Sequence, residues 1–333
     1  MFQGIHDLSG RAACYCSKGH CLRLMGEFSR AIHEYRKART LCDRDSEIFI
    51  DALCGEGMSL RGTGELKQAI CLFDRAEKKY GRFHDEEGVA YCLWAKAGTF
   101  RLLGQLEKAF SFFSRSHGIY RNLKDKSGMA YSLCGMGGVS RMRGDYQNSW
   151  RYYSRANGIF QGINDDFGKS YSFCGMANAN RMLNRYEDAI VFFKKAERGY
   201  LRIQDKASYA YTLWGEGMAR MQVKKYRLAE KAFAAARQFF RETKDLRGMM
   251  YYYWGQSQLL YLTGKQRHAE SMIKKGLTLA GGSPFCFEEQ HGRYLKRLFE
   301  APVNENNLRK TVKIYGAMGS HFFPGSVVPV AFP

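Results

Sequence analysis

Hydrophobic and polar positions along the chain do not follow one unbroken stripe; they recur as a block about 40 residues long. A short turn sets the register at Gly26, Gly64, Gly104, Gly144, Asn184, Lys224 and Gly264, each 40 residues apart after a first step of 38. Five residues after the turn stand Ala31, Ala69, Ala109, Ser149, Ala189, Ala229 and Ala269. Twelve after it stand Ala38, Ala76, Ser116, Ala156, Ala196, Ala236 and Gly276. Between these small columns runs a large one: Tyr35, Phe73, Phe113, Tyr153, Phe193, Phe233 and Ile273. A second aromatic follows at Tyr80, Tyr120, Phe160, Tyr200 and Phe240. A fixed period of this length marks a repeat architecture, in which each unit is too small to bury its apolar face and stacks on the next.

Within a block, apolar residues three and four apart predict two helices. The first covers about 15 residues before the turn, as in Ala90–Leu103, and the second about 19 after it, as in Gln105–Leu123. A polar connector then carries Asp85, Asp125, Asp165, Asp205 or Asp245. Three residues later come Gly88, Gly128, Gly168, Ser208 and Gly248, where a reversal of the chain is expected. Glycine also recurs mid-helix at Gly55, Gly135, Gly175, Gly215 and Gly255, at about 1 kcal/mol each relative to Ala. A neighbouring helix or a ligand is expected to approach the backbone there.

The five prolines (Pro284, Pro302, Pro324, Pro329 and Pro333) all lie in the last fifty residues, so nothing earlier interrupts a helix. The predicted organisation is a repeat array over 1–282, a capping helix over 283–300, and a linker with an extended apolar tail over 301–333. Ser283-Pro284, followed by early acids, supplies the helix start. The tail is a candidate for folding back as an internal ligand or for self-association.

Composition adds three points. Apolar residues at 45% and charged residues at 25% exclude a disordered chain, and no stretch of about 18 apolar residues is present to span a membrane. The N-terminal residues lack a signal-peptide pattern, and ten irregularly spaced cysteines read as reduced thiols, so a cytoplasmic protein is expected. The formal charge of +20 points to an anionic partner.

Other chemistry is poorly supported. Cys14, Cys16, His20 and Cys21 put only two ligands on one helical face, short of a tetrahedral set, so no metal or cofactor is expected. Glycine pairs such as Gly55 with Gly57 follow no strand and do not make a dinucleotide loop. The eight histidines share no register and no nucleophile–base–acid set emerges, so no enzymatic activity is expected.

The small residue seven before the turn (Gly19, Gly57, Ala97, Gly137, Ala177, Gly217), the turn glycine, the aromatic after it and the two alanine columns resemble the tetratricopeptide repeat family. The 40-residue period with its Asp-x-x-Gly connector is similar to the variety in Pins-type polarity adaptors. The resemblance covers residues 10–280. It implies an all-α, right-handed α-solenoid of about seven helix pairs, closed by the C-terminal capping helix. One column departs from the family: the Leu usual eight residues before the turn is replaced by Lys18, Glu56, Lys96, Glu216 and Gln256. This substitution implies first helices rotated somewhat against their neighbours.

The resemblance also implies that ligands lie along the first helices, on a concave groove. Three columns there correspond to ligand-facing positions: Arg23, Arg61, Arg101, Arg141 and Arg181; Tyr91, Tyr131, Tyr171, Tyr211 and Tyr251; and Trp94, Trp214 and Trp254, alternating with Cys16, Cys54, Cys134 and Cys174. Guanidinium forks suit carboxylates and phosphates. The expected function is a binding scaffold that holds an extended acidic peptide or protein segment. The alternatives are single-stranded nucleic acid, with bases stacked on the aromatics and phosphates on the arginines, or a small anionic ligand. A purely structural account would pair each arginine with an acid on the adjacent second helix. A further basic column (Lys37, Arg75, Arg115, Arg155, Lys195, Lys275) is expected on a solvated outer face.

Overall fold

The computed structural model describes residues 7–281 and 286–300; the apolar tail and the predicted start of the capping helix at Ser283-Pro284 lie outside them. The described residues form fifteen helices and no strand. Seven antiparallel pairs run in chain order: α1 (Leu8–Leu24) with α2 (Phe28–Leu41), α3 (Glu47–Thr63) with α4 (Leu66–Arg82), α5 (Glu86–Leu102) with α6 (Leu106–Asn122), α7 (Lys126–Met142) with α8 (Tyr146–Gly162), α9 (Asp166–Met182) with α10 (Tyr186–Arg202), α11 (Lys206–Gln222) with α12 (Tyr226–Glu242), and α13 (Leu246–Leu262) with α14 (Gln266–Ala280). A single helix, α15 (Cys286–Glu300), follows. This is the all-α solenoid of helix pairs that the repeat predicts. The chain divides into two compact units, residues 1–135 and 136–333, each described on its own below. Among the described residues no helix is long and apolar enough to cross a membrane.

Both turns of the repeat use a left-handed residue. The first is the register column itself, with φ of 73° to 88° at Gly64, Gly104, Gly144 and Gly264 and about 60° at Asn184 and Lys224. The second is the residue before each connector aspartate: His84, Lys124, Asn164, Gln204 and Lys244, with φ between 53° and 59°. The reversal is thus not at the Asp-x-x-Gly glycine. Hydrogen bonds from Asp85, Asp125, Asp165, Asp205 and Asp245 N–H back to the carbonyl five residues earlier, at 2.8–3.1 Å, close the preceding helix as a Schellman motif. Those bonds help hold a non-glycine residue in a conformation that L side chains otherwise avoid.

The connector aspartate caps the next helix instead. Asp85, Asp125, Asp165, Asp205 and Asp245 accept from the N–H three residues on, at 2.7–3.1 Å. In four of the five copies this residue is a glycine that leaves space for a ring, and in the other it is Ser208. A Cβ at Gly88, Gly128, Gly168 or Gly248 would fall 2.1–2.4 Å from the ring of Tyr80, Tyr120, Phe160 or Phe240.

The mid-helix glycines are receptors for the large column. Tyr35 is wedged between Gly19 of its own repeat and Gly55 of the next, Tyr153 between Gly137 and Gly175, and Phe233 between Gly217 and Gly255. Each of these rings is at most 3% exposed. Burying one contributes about 2–3 kcal/mol, which outweighs the helix propensity lost at the glycines. A neighbouring ring, rather than a ligand, is what approaches these backbones.

Three members of the polar column eight residues before the turn, Glu56, Lys96 and Glu216, form charged seams between repeats. Glu56 of α3 pairs with Arg36 (2.7 Å) and Arg39 of α2. Lys96 of α5 pairs with Asp74 (2.9 Å) and Glu77 of α4, and Glu216 of α11 with Lys194 (3.0 Å) of α10. All three column residues are at most 5% exposed. At these three positions the pairs account for a charged residue in place of Leu, and the sign of the charge reverses between repeats together with the partners on the preceding helix.

Candidate functional site

Each arginine of the predicted column sits in the last turn of a first helix, where a cation also complements the helix dipole: Arg23 in α1, Arg61 in α3, Arg101 in α5, Arg141 in α7 and Arg181 in α9. In the first unit the Arg61 guanidinium lies 5.8 Å from the centre of the Trp94 ring. Trp94 is itself 6.0 Å from Tyr91. A Cβ at Gly98 would come within 2.6 Å of the Arg61 Nη1, so glycine leaves the path of that side chain open. Arg23 reaches the Tyr35 hydroxyl, which also lies 3.0 Å from His20 Nδ1. Burial raises the Tyr91 phenol well above its ordinary range, with Cys54 adding to the shift and Arg23 and Arg61 opposing it. Tyr131 of α7 remains partly exposed.

In the second unit Arg181 is 0% exposed. It stacks 5.8 Å from the Trp214 ring and donates to Asn178 Oδ1 at 3.1 Å. Among the groups that bear on it electrostatically are Arg141, Tyr186, Tyr146 and Cys174. Burial, and after it the charge of Arg141, lower the Arg181 pKa to about 10. The predicted tyrosines form a packed aromatic series rather than an open wall. Tyr211 meets Tyr251 edge-on at 5.7 Å, Trp214 lies 5.0 Å from Tyr251, and the Trp214 indole donates to the Tyr251 carbonyl at 2.7 Å. Tyr171 stacks on Phe167 at 6.0 Å.

Trp254 differs from Trp94. It is 1% exposed, and a Cβ at Gly276 or Gly292 would fall 2.3–2.5 Å from its ring. It is therefore enclosed by α14 and α15 and presents no open face. Trp214 and Tyr251, at 7% and 6% exposed, are also interior. Burial removes these three from the surface a ligand meets first.

Arg23, Arg101 and Arg141 are not paired with acids on second helices. Among the described residues no carboxylate lies within ion-pair distance of Arg23, Arg101 or Arg141. The Nε of each is buried without a hydrogen-bond partner. Such groups are rare because an unmade bond to a charged donor costs more than one to a neutral donor.

The outer basic column is largely exposed, at Arg75, Arg115, Arg155, Lys195 and Lys275. Two of its members lie over aromatic rings, Arg115 over Phe112 at 5.4 Å and Lys195 over Phe192 at 5.1 Å. Charge is unevenly divided: residues 1–135 carry 21 Lys and Arg against 16 Asp and Glu, and residues 136–333 carry 31 against 16. Near the N-terminus, Cys16 Sγ lies 3.7 Å from His20 Nε2, and burial pushes the thiol up to about 12. Among the described residues no group of three metal-ligating side chains comes together.

Two features went unread in the sequence. Tyr146 and Tyr186 stand two residues after the turn, in the column Tyr146, Tyr186 and Tyr226, and bear on Arg181. The other is Glu288 of α15, which pairs with Arg247 and accepts from the Tyr251 hydroxyl at 3.4 Å. Only the fold brings residues 41 positions apart together here.

No protein-family model matches the sequence, and no curated protein matches it. Solved structures do match the fold. A Rap protein complexed with competence and sporulation factor superposes with a TM-score of 0.70 at 13% identity, over 93% of this chain and 87% of that one. NprR in complex with its cognate peptide NprX gives 0.63 at 13% identity, over 91% and 87%. A signal transduction ATPase with a tetratricopeptide repeat sensor, PH0952 from Pyrococcus horikoshii, gives 0.58 at 16% identity over 86% of this chain and 44% of that one. The fold is of the tetratricopeptide-repeat type.

Proposed function

We propose that this protein is a non-enzymatic adaptor, with the 40-residue repeats of Pins-type adaptors, whose arginine column holds an extended acidic peptide or protein segment. The observation that carries the proposal is the contrast between its charged groups. Glu56, Lys96 and Glu216, buried in the seams, each meet an opposite charge, while Arg23, Arg101 and Arg141 keep a buried Nε with no partner and no carboxylate nearby. Carboxylates of a ligand supply what the chain withholds. In the first unit Arg61 with Trp94 sets a cation beside an apolar ring. The cognate-peptide complex of NprR and the factor complex of the Rap protein are in keeping with this reading.

Single-stranded nucleic acid is the second reading, favoured by the basic excess of residues 136–333. A pull-down from native lysate with wild type and an Arg101→Glu/Arg141→Glu variant, each with and without nuclease, separates the two. The adaptor reading expects a protein partner that survives nuclease and is lost in the variant. Capture of nucleic acid moves the function to the second reading. Equal capture by the folded variant refutes the arginine assignment.

A further inference from the structure

The second helices of the second unit carry a charge pattern that neither the seams nor the arginine column uses. Among the described residues α8, α10, α12 and α14 pack against neighbouring helices in the chain and not on one another, and the far side of each stays open to solvent. In the middle of each, seven to fourteen residues after the turn, stand two exposed Lys or Arg and no exposed Asp or Glu. Arg151 and Arg155 of α8, Arg198 of α10, Lys231 of α12 and Lys275 of α14 belong to this set. The one acid in these stretches, Glu197, is buried and bound to Lys194. Nearer the helix ends, Glu187 is held by Lys225 at 3.4 Å and Glu242 by Lys206 at 3.1 Å. Among the described residues Arg155, Arg198, Lys231 and Lys275 meet no carboxylate within ion-pair distance. A face that is merely solvated mixes both signs, because like charges on one surface repel. The same stretch of α4 in the first unit does mix them, with Asp74 and Glu77 among its cations.

We propose that this cationic face of α8, α10, α12 and α14 binds the phosphate backbone of double-stranded nucleic acid, without regard to base sequence and separately from the arginine column on the first helices. Charge of one sign spread over four helices, rather than along a single groove, complements the phosphates of two strands. The rings at this face lie beneath cations: Lys195 is 5.1 Å from the centre of Phe192, and Arg237 5.4 Å from that of Tyr252. Each contact holds a charged head in place, and the covered rings offer no platform on which unpaired bases stack. Val191 is the one large apolar side chain exposed in these stretches, too little to enter a lipid surface. The face therefore suits a partner whose outside is phosphate and whose bases are already paired.

The test is fluorescence anisotropy of the full chain with a labelled duplex of about 20 base pairs, between about 50 and 200 mM salt. The expected affinity falls at least about tenfold across that range, and the duplex is bound at least about fivefold more tightly than a single strand of the same length. Arg155→Gln/Arg198→Gln/Lys231→Gln should weaken duplex binding at least about tenfold and make the slope of log affinity against log salt shallower by about 2 to 3. Lys67→Gln/Lys78→Gln/Arg121→Gln removes the same charge from exposed positions of α4 and α6 and should leave the affinity within about threefold. Circular dichroism and melting should show both triple variants folded like the wild type. Equal weakening by the two triple variants overturns the proposal, since net charge alone would then be at work. So does single-strand binding as tight as duplex binding, or retention on phosphatidylserine vesicles with no binding of the duplex. Protein capture by the arginine column should be unchanged in the first triple variant, so the adaptor reading and this face stand or fall separately.

Discussion

Arg247 and Arg181 lie two repeats apart on first helices of the same unit, and the fold treats them in opposite ways. Arg247 meets Glu288 of α15, with Tyr251 completing the contact; although burial acts against its charge, Tyr251 and Glu288 raise its pKa above the ordinary arginine value. Arg181 is more deeply enclosed, has another arginine as its main electrostatic neighbour, and is shifted down to about 10. The first arrangement is that of the repeat seams, where Glu56, Lys96 and Glu216 all meet opposite charges. The seams compensate their buried charges regularly, whereas the Nε of Arg23, Arg101 and Arg141 stays buried without a hydrogen-bond partner, a contrast on which the proposed adaptor reading rests.

The comparison breaks most directly by removing one arginine at a time. Arg247→Met leaves Glu288, 4% exposed, buried without its cation, and should cost about 3 kcal/mol in urea denaturation. Arg101→Met removes a cation that meets no carboxylate within ion-pair distance and should change stability by less than about 1 kcal/mol while weakening ligand capture. Equal losses in the two variants would erase the distinction between seam and column.

The seam of α10 and α11 sharpens it through pH. Burial, with Glu216 adding to it, raises Glu197 to about 7, although Lys194 opposes the shift. Burial also acts to raise Glu216, but its bonds to Glu197, Lys194 and Arg220 prevail and lower it. One carboxyl thus keeps a proton for the other. A carboxyl whose folded pKa lies above its unfolded value binds more protons when folded, so its contribution is present at low pH and declines as pH rises from about 4.5 to about 7. Stability measured from pH 5 to pH 8 should fall by about 2 kcal/mol from this group, and Glu197→Gln should flatten that slope. The lowered Glu216 acts in the other direction below pH 4.5, outside this window.

Smaller effects separate glycines that receive a ring from those that do not. Gly175→Ala would put a Cβ 2.3 Å from Tyr153 and should cost about 1–2 kcal/mol despite the better helix propensity. Gly158→Ala, on an exposed stretch of α8 with nothing within 4 Å, should stabilise by about 0.5–1 kcal/mol. Thermal melts of the two should move in opposite directions.

Much of this was legible in the repeat. The register column fell on left-handed residues, the small and aromatic columns became the interlocked core, and the connector aspartates became N-caps, because local sterics and hydrogen bonding act on neighbours in the chain. The reversal was misplaced by four residues, since glycine at Gly88 and its counterparts signals a turn in sequence but serves in space to admit Tyr80 and its counterparts. The polar column was read as a rotation because its partners sit about twenty residues away, on the preceding helix.

The sequence by itself thus determined the period, the helix pairs and the side of the first helix that carries the arginines, since each follows from spacing within one repeat. Only the tertiary structure decided which charges are neutralised and which aromatics are hidden. Trp94 and Trp254 occupy the same column, yet α15 closes over the second, and Arg247 meets Glu288 of that helix while Arg101 keeps a buried Nε without a partner. The energy of a charge depends on the dielectric and the partners around it, and both are set by chain segments that spacing alone does not bring together.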